Sequence, residues 1–113
     1  MVVKKDDKYE IGSIGEEIVC KYMVSHGQEI INWDTRGVGK SDIVTTDYLI
    51  QVKTSLLNND PKEPTEDELR LLINTAKKRS KKALVAKLTI DDSRKLIDSI
   101  SFTDAISGKR VDI

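Results

Sequence analysis

Apolar side chains recur along residues 8–26 at the three- and four-residue spacings of a single buried helix face: Ile11, Ile14, Ile18, Val19, Tyr22 and Met23. Gly27 follows at once, as a glycine just past a helix does. The period then changes. EIINW (29–33) is short and apolar enough for a first strand, and DTRGVGKS (34–41) is a glycine-containing loop. SDIVTTDYLIQVKTS (41–55) reads as two more strands with a turn near Thr46 and Asp47. LLNNDPKEP (56–64) holds both prolines and an Asn-Asn-Asp cluster, so it is a loop.

Thr65-Glu66-Asp67-Glu68 is a capping box that opens a second helix through about Arg79, and the basic run KKRSKK (77–82) closes it. KALVAKLTI (82–90) is a strand, and after a turn at 91–93 the segment KLIDSISF (95–102) alternates as its hairpin partner. Residues 103–113 read as a short tail. The order αβββαββ predicts an α/β fold around a mixed five-stranded sheet flanked by helices, with the second helix as the crossover. A chain of 113 residues fits one domain, 1–113.

Composition narrows the chemistry. Nineteen basic residues balance nineteen acidic ones, so no global positive field marks the chain and any phosphate binding has to come from a local patch. The single Cys20 forms no internal disulfide, and with His26 as the one histidine there is no cysteine–histidine set for zinc. MVVKKDDKYE turns charged too early for a secretory signal, and no apolar run approaches the ~18 residues of a membrane span, so an intracellular location is expected.

The stretch 41–55 carries an acid, an amide and an ammonium among residues that otherwise make ordinary β-core. Strand alternation puts Gln51 and Lys53 on one face and Ile50, Val52 and Thr54 on the other. If Thr46 and Asp47 form a two-residue loop, Asp42 lies directly opposite Gln51, with Cβ atoms roughly 5 Å apart. A four-residue loop keeps this register, whereas a three-residue loop turns Asp42 to the opposite face. The plainer reading of the same residues is a capping Asp42, a surface Gln51 and a solvated Lys53. On a helical wheel Glu16 falls about 20° beyond the apolar stripe, next to Met23, whereas Glu17 faces water.

IGSIGEEIVCKYMVSHG (11–27), followed by VGKSDIV (38–44) and LIQVKTS (49–55), resembles the archaeal Holliday junction resolvases of the PD-(D/E)XK nuclease superfamily. The order of Glu16, Asp42, Gln51 and Lys53 carries the resemblance, which extends over residues 12–102. It implies a restriction endonuclease-like core and Mg²⁺-dependent hydrolysis of DNA phosphodiesters, with Mn²⁺ as a substitute. It also implies a branched or four-way-junction substrate and a homodimer.

In that family's terms Asp42 is the main metal ligand, and the Gln51 side-chain carbonyl and the Val52 backbone carbonyl are further ligands. Lys53 orients or helps deprotonate the attacking water, and Glu16 acts through a metal-bound water or a second ion. Two positions depart from the pattern: Ser41 stands where proline is frequent, and Gln51 where these resolvases usually carry glutamate.

Arg36 and Lys40, in the glycine-containing loop, are candidate contacts to backbone phosphates. GVGKS (37–41) looks like the end of a P-loop, but Asp34 stands where that pattern needs glycine and a strand follows, so no nucleotide cofactor is expected. His26 and Cys20 lack a catalytic partner in the sequence. Two other readings remain open: a related restriction or repair nuclease, and a noncatalytic DNA-binding or assembly module that keeps the fold.

Overall fold

A computed structural model describes residues 5–33 and 42–113, and the side chains among them from 10–33 and 43–113. Helix α1 (Lys5–Ser25) uses the predicted apolar stripe, with Val19 and Met23 fully buried. It ends in a Schellman turn: the Gln28 N–H donates to the Met23 carbonyl (2.9 Å) and the Gly27 N–H to that of Val24 (3.1 Å). Gly27 has φ +87°, a conformation a side chain there would strain.

Strands β1 (Ile30–Trp33), β2 (Asp42–Thr45) and β3 (Tyr48–Leu56) form an antiparallel meander. Helix α2 (Glu66–Lys78) then carries the chain over to β4 (Lys82–Ile90), which lies parallel to β3, and β5 (Leu96–Asp104) returns antiparallel. The five strands lie side by side in chain order, β1-β2-β3-β4-β5, and the observed αβββαββ order is the one the sequence predicts. A parallel pair needs such a crossover, and the capping box supplies its start: Thr65 Oγ1 accepts from the Glu68 N–H (3.1 Å), and Glu68 Oε1 accepts from the Thr65 N–H (2.9 Å).

The helices cover opposite faces of the sheet. Under α1, Val19 and Met23 pack with Ile43, Ile50, Val52, Leu84, Leu88 and Ile90. Under α2, Leu72 and Ala76 pack with Val44, Leu49, Ala83 and Val85. Burying each large aliphatic contributes about 1.5–3 kcal/mol, and the apolar stretches 48–50 and 83–86 fall where both faces of the sheet are covered. Approach on the α1 side is close. A Cβ on Gly15 would collide with the Thr54 hydroxyl and sit 2.8 Å and 2.9 Å from its Cβ and Cγ2.

The last segment is more structured than a tail. β5 runs on to Asp104, whose carboxylate accepts the N–H groups of Ile106 (2.8 Å) and Ser107 (3.1 Å). The Ser107 amide, more than any other contact, holds the Asp104 carboxyl below the usual carboxylate range, with burial opposing, and the Ile106 amide and Lys82 adding to it. This turn sends the chain back along β5, where Thr103 bridges Arg110 and the Val111 N–H donates to Phe102 (2.9 Å). The turn signal lies in one Asp side chain, which strand periodicity does not register. No helix among the described residues is long and apolar enough to cross a membrane.

Candidate active site

Thr46 and Asp47 are the two-residue loop between β2 and β3, and the ladder pairs Asp42 with Gln51, Ile43 with Ile50 and Val44 with Leu49. Lys81, in the basic run after α2, holds this turn by donating from Nζ to the Thr46 carbonyl (2.6 Å). Register and alternation place position 42, Gln51 and Lys53 on the face that α2 covers, the face of Leu49 and Val85. The side chain of Asp42 lies outside the described residues, as do Arg36 and Lys40 altogether.

Gln51 is 4 % exposed, so it is not the surface amide of the plainer reading. Its Nε2 donates to Glu68 Oε2 (2.8 Å), and Lys53 Nζ donates to the same oxygen (2.7 Å). Glu68 therefore joins two tasks. One oxygen closes the capping box and the other ties the first turn of α2 to Gln51 and Lys53 on β3. Burial pushes its carboxyl up, but the Lys53 hydrogen bond, the Thr65 N–H and the Lys53 charge outweigh that and leave it below the ordinary glutamate value.

From the sequence alone Glu68 belongs only to the cap. The signal for its second role was an N3 glutamate at the start of a crossover helix, which has to pack back over the strand it has just left.

The Gln51 amide orientation follows from this contact, because turning the carbonyl toward Glu68 would set two acceptors against each other. Its oxygen is left buried with no hydrogen-bond partner among the described residues. An unpaired buried acceptor costs about 1–3 kcal/mol. Either a water or a hard cation satisfies such an oxygen. Among the described residues no group of three or more His, Cys, Asp or Glu is placed to hold a metal. Val52, the further backbone ligand implied by resemblance, turns its side chain into the α1 core.

Glu16 and Glu17 separate as the wheel predicts. Glu17 is exposed and pairs with Lys21 (3.1 Å), whereas Glu16 is 2 % exposed and accepts from Trp33 Nε1 (3.1 Å). Glu16 belongs to the α1 face, so the structure brings Gln51, Lys53 and Glu68 together on one side and Glu16 approaches from the other. Its Trp33 partner pairs with Ile43, the neighbour of Asp42, so Glu16 lies toward the strand end where Asp42 begins β2.

Cys20 is buried, and that burial together with the charges of Glu16 and Glu17 pushes its thiol up to about 11, which keeps it protonated and unreactive at neutral pH. His26 stacks on Tyr22 with ring centroids 4.0 Å apart, and its Nδ1 lies 2.8 Å from the Tyr22 carbonyl, a role at the helix end.

The architecture is consistent with a PD-(D/E)XK-like core, an α/β domain with a mixed five-stranded sheet between two helices. No protein-family model matches the chain, and no curated protein or solved structure matches it significantly.

Proposed function

We propose that this protein is a metal-dependent, structure-selective DNA endonuclease of the Holliday junction resolvase type, acting as a homodimer so that two sites nick opposed strands. The observation that carries the reading is the buried carbonyl of Gln51, unpartnered among the described residues, directly across the ladder from Asp42 and two residues from Lys53. Asp42 and Gln51 would hold Mg²⁺, with the Val52 carbonyl as a further contributor, and Glu16, on the α1 face, would contribute only around the strand end where β2 begins. Once bound, the ion supplies charge relief on the phosphate and lowers the pKa of water.

The rest is done by the chain. Glu68 holds the Gln51 amide by its nitrogen, which would leave the oxygen for the ion, and it holds the Lys53 ammonium on the same face. Lys53 orients the attacking water or a phosphate oxygen. Where an E-x-K strand would carry its own carboxylate, here α2 brings one to Gln51. Arg36 and Lys40 position the DNA backbone.

The test is cleavage of a four-way junction in Mg²⁺ or Mn²⁺, against duplex, flap and single strand. Wild type is expected to nick the junction, while Asp42→Asn and Lys53→Ala abolish nicking with the fold intact by circular dichroism. Unchanged cleavage by either variant removes the site. Junction binding with no nicking in either metal supports the second reading, a noncatalytic DNA-binding module. That reading is favoured by the neutral amide at position 51 and by a Glu68 carboxylate already engaged by three donors.

A further inference from the structure

The parallel register of β3 and β4 pairs Lys53 with Lys87, so two ammonium-bearing side chains stand on neighbouring strands and one face. Like charges in that position repel, and the core asks for neither: the next pairs along the face, Gln51 with Val85 and Leu49 with Ala83, are buried. Both lysines are only about a fifth exposed, at 22 % and 21 % of the side chain. The structure answers the repulsion with a carboxylate for each, Glu68 for Lys53 and Glu63 for Lys87.

The two anions are held differently. Glu68 is anchored by its capping box in the first turn of α2. Glu63 belongs to the connection 57–65, is 77 % exposed, and Lys87 is its ion-pair partner there. Ser101 pairs with Lys87 on β5, and Ser55 and Thr89 share a hydroxyl hydrogen bond (3.0 Å). A cleft of about 630 Å³ opens at the end of β3, where Lys53, Asn59 and Lys62 line it together with Asp60 and the apolar Ile11 and Leu56.

We infer that Lys53 and Lys87 form a subsite for one backbone phosphate of a nucleic acid, and that Glu63 is the built-in anion which the incoming strand displaces. The inference rests on the nuclease reading for its partner, yet binding alone tests it. Affinity for a fluorescein-labelled duplex and a labelled four-way junction is measured by anisotropy in EDTA over a KCl series.

Lys87→Gln is expected to weaken binding about threefold and to flatten the slope of log K against log salt by roughly 0.9, one phosphate contact. Glu63→Gln is expected to tighten binding by about the same factor, and only when Lys87 is present. Wild-type affinity and slope in Lys87→Gln overturn the subsite. So does a gain from Glu63→Gln that survives the loss of Lys87, or a wild type that binds neither DNA. If Lys87→Gln does not fold, Glu63→Gln alone decides, tighter binding supporting the subsite and unchanged binding overturning it. A wild type that binds through Lys87 and leaves junctions uncut ends the nuclease reading and keeps the subsite; cleavage with unaltered Lys87→Gln binding does the reverse.

Discussion

Gln51→Glu introduces the acidic residue usual in E-x-K nucleases and is expected to destabilise the metal-free protein, because Glu68 already stands at that position. The variant replaces an N–H donor 2.8 Å from Glu68 Oε2 with a carboxylate oxygen. At that distance the gross repulsion is about 6 kcal/mol for an effective dielectric of 20. The protein escapes part of this by taking up a proton, since two carboxylates sharing a site raise one pKa. Protonating an ordinary glutamate at pH 7 costs about 3.7 kcal/mol, which caps the penalty. The lost amide hydrogen bond adds to it and a shared-proton bond subtracts, for a net loss of about 2–4 kcal/mol and a fall in Tm of roughly 10 °C or more.

Thermal melts of wild type and variant from pH 7 to pH 5, with and without Mg²⁺, test this. The deficit shrinks as pH falls, because proton uptake becomes cheaper, and Mg²⁺ raises the variant's Tm more than the wild type's. Equal Tm values at pH 7 would show that the Glu68 contact is not made in solution. A deficit that neither acid nor Mg²⁺ relieves would assign the loss to packing and refute the charge argument.

Two further outcomes test the scaffold. Gly15→Ala puts a methyl against Thr54, where no branch of that side chain is clear of it, so a loss of about 1–3 kcal/mol is expected in urea unfolding, and wild-type stability would mean that α1 is not seated this closely. Glu68, depressed in the folded state, contributes stability that is complete above its unfolded value of 4.5 and is lost as pH falls through the folded pKa; the advantage of wild type over Glu68→Gln in urea midpoint should therefore be constant near neutrality and fade below about pH 4.5.

The parts of this molecule legible in its sequence are those fixed by neighbours in the chain. The α1 stripe separates buried Glu16 from exposed Glu17 because helical geometry is local, and the Thr46-Asp47 loop sets Asp42 across from Gln51 because the hairpin admits few registers. What stays hidden depends on how distant elements meet. Nothing near Lys53 announces Lys87, since a parallel register over a helical crossover is set by packing on both faces of the sheet. Nor does the capping box reveal that the second oxygen of Glu68 will reach β3.

That contact changes how position 51 is read. From the sequence, Gln51 stands where the nucleases it resembles usually carry glutamate. In the fold, α2 delivers a carboxylate to the same face, 2.7 Å from Lys53, so the anion that pairs with the lysine comes from another element. On the proposed reading the site trades a charged ligand for a neutral one whose orientation is locked from the helix. The first turn of α2 therefore belongs to the site as much as the strand does: a substitution that frees Glu68 from Thr65 should disturb Lys53 without touching it.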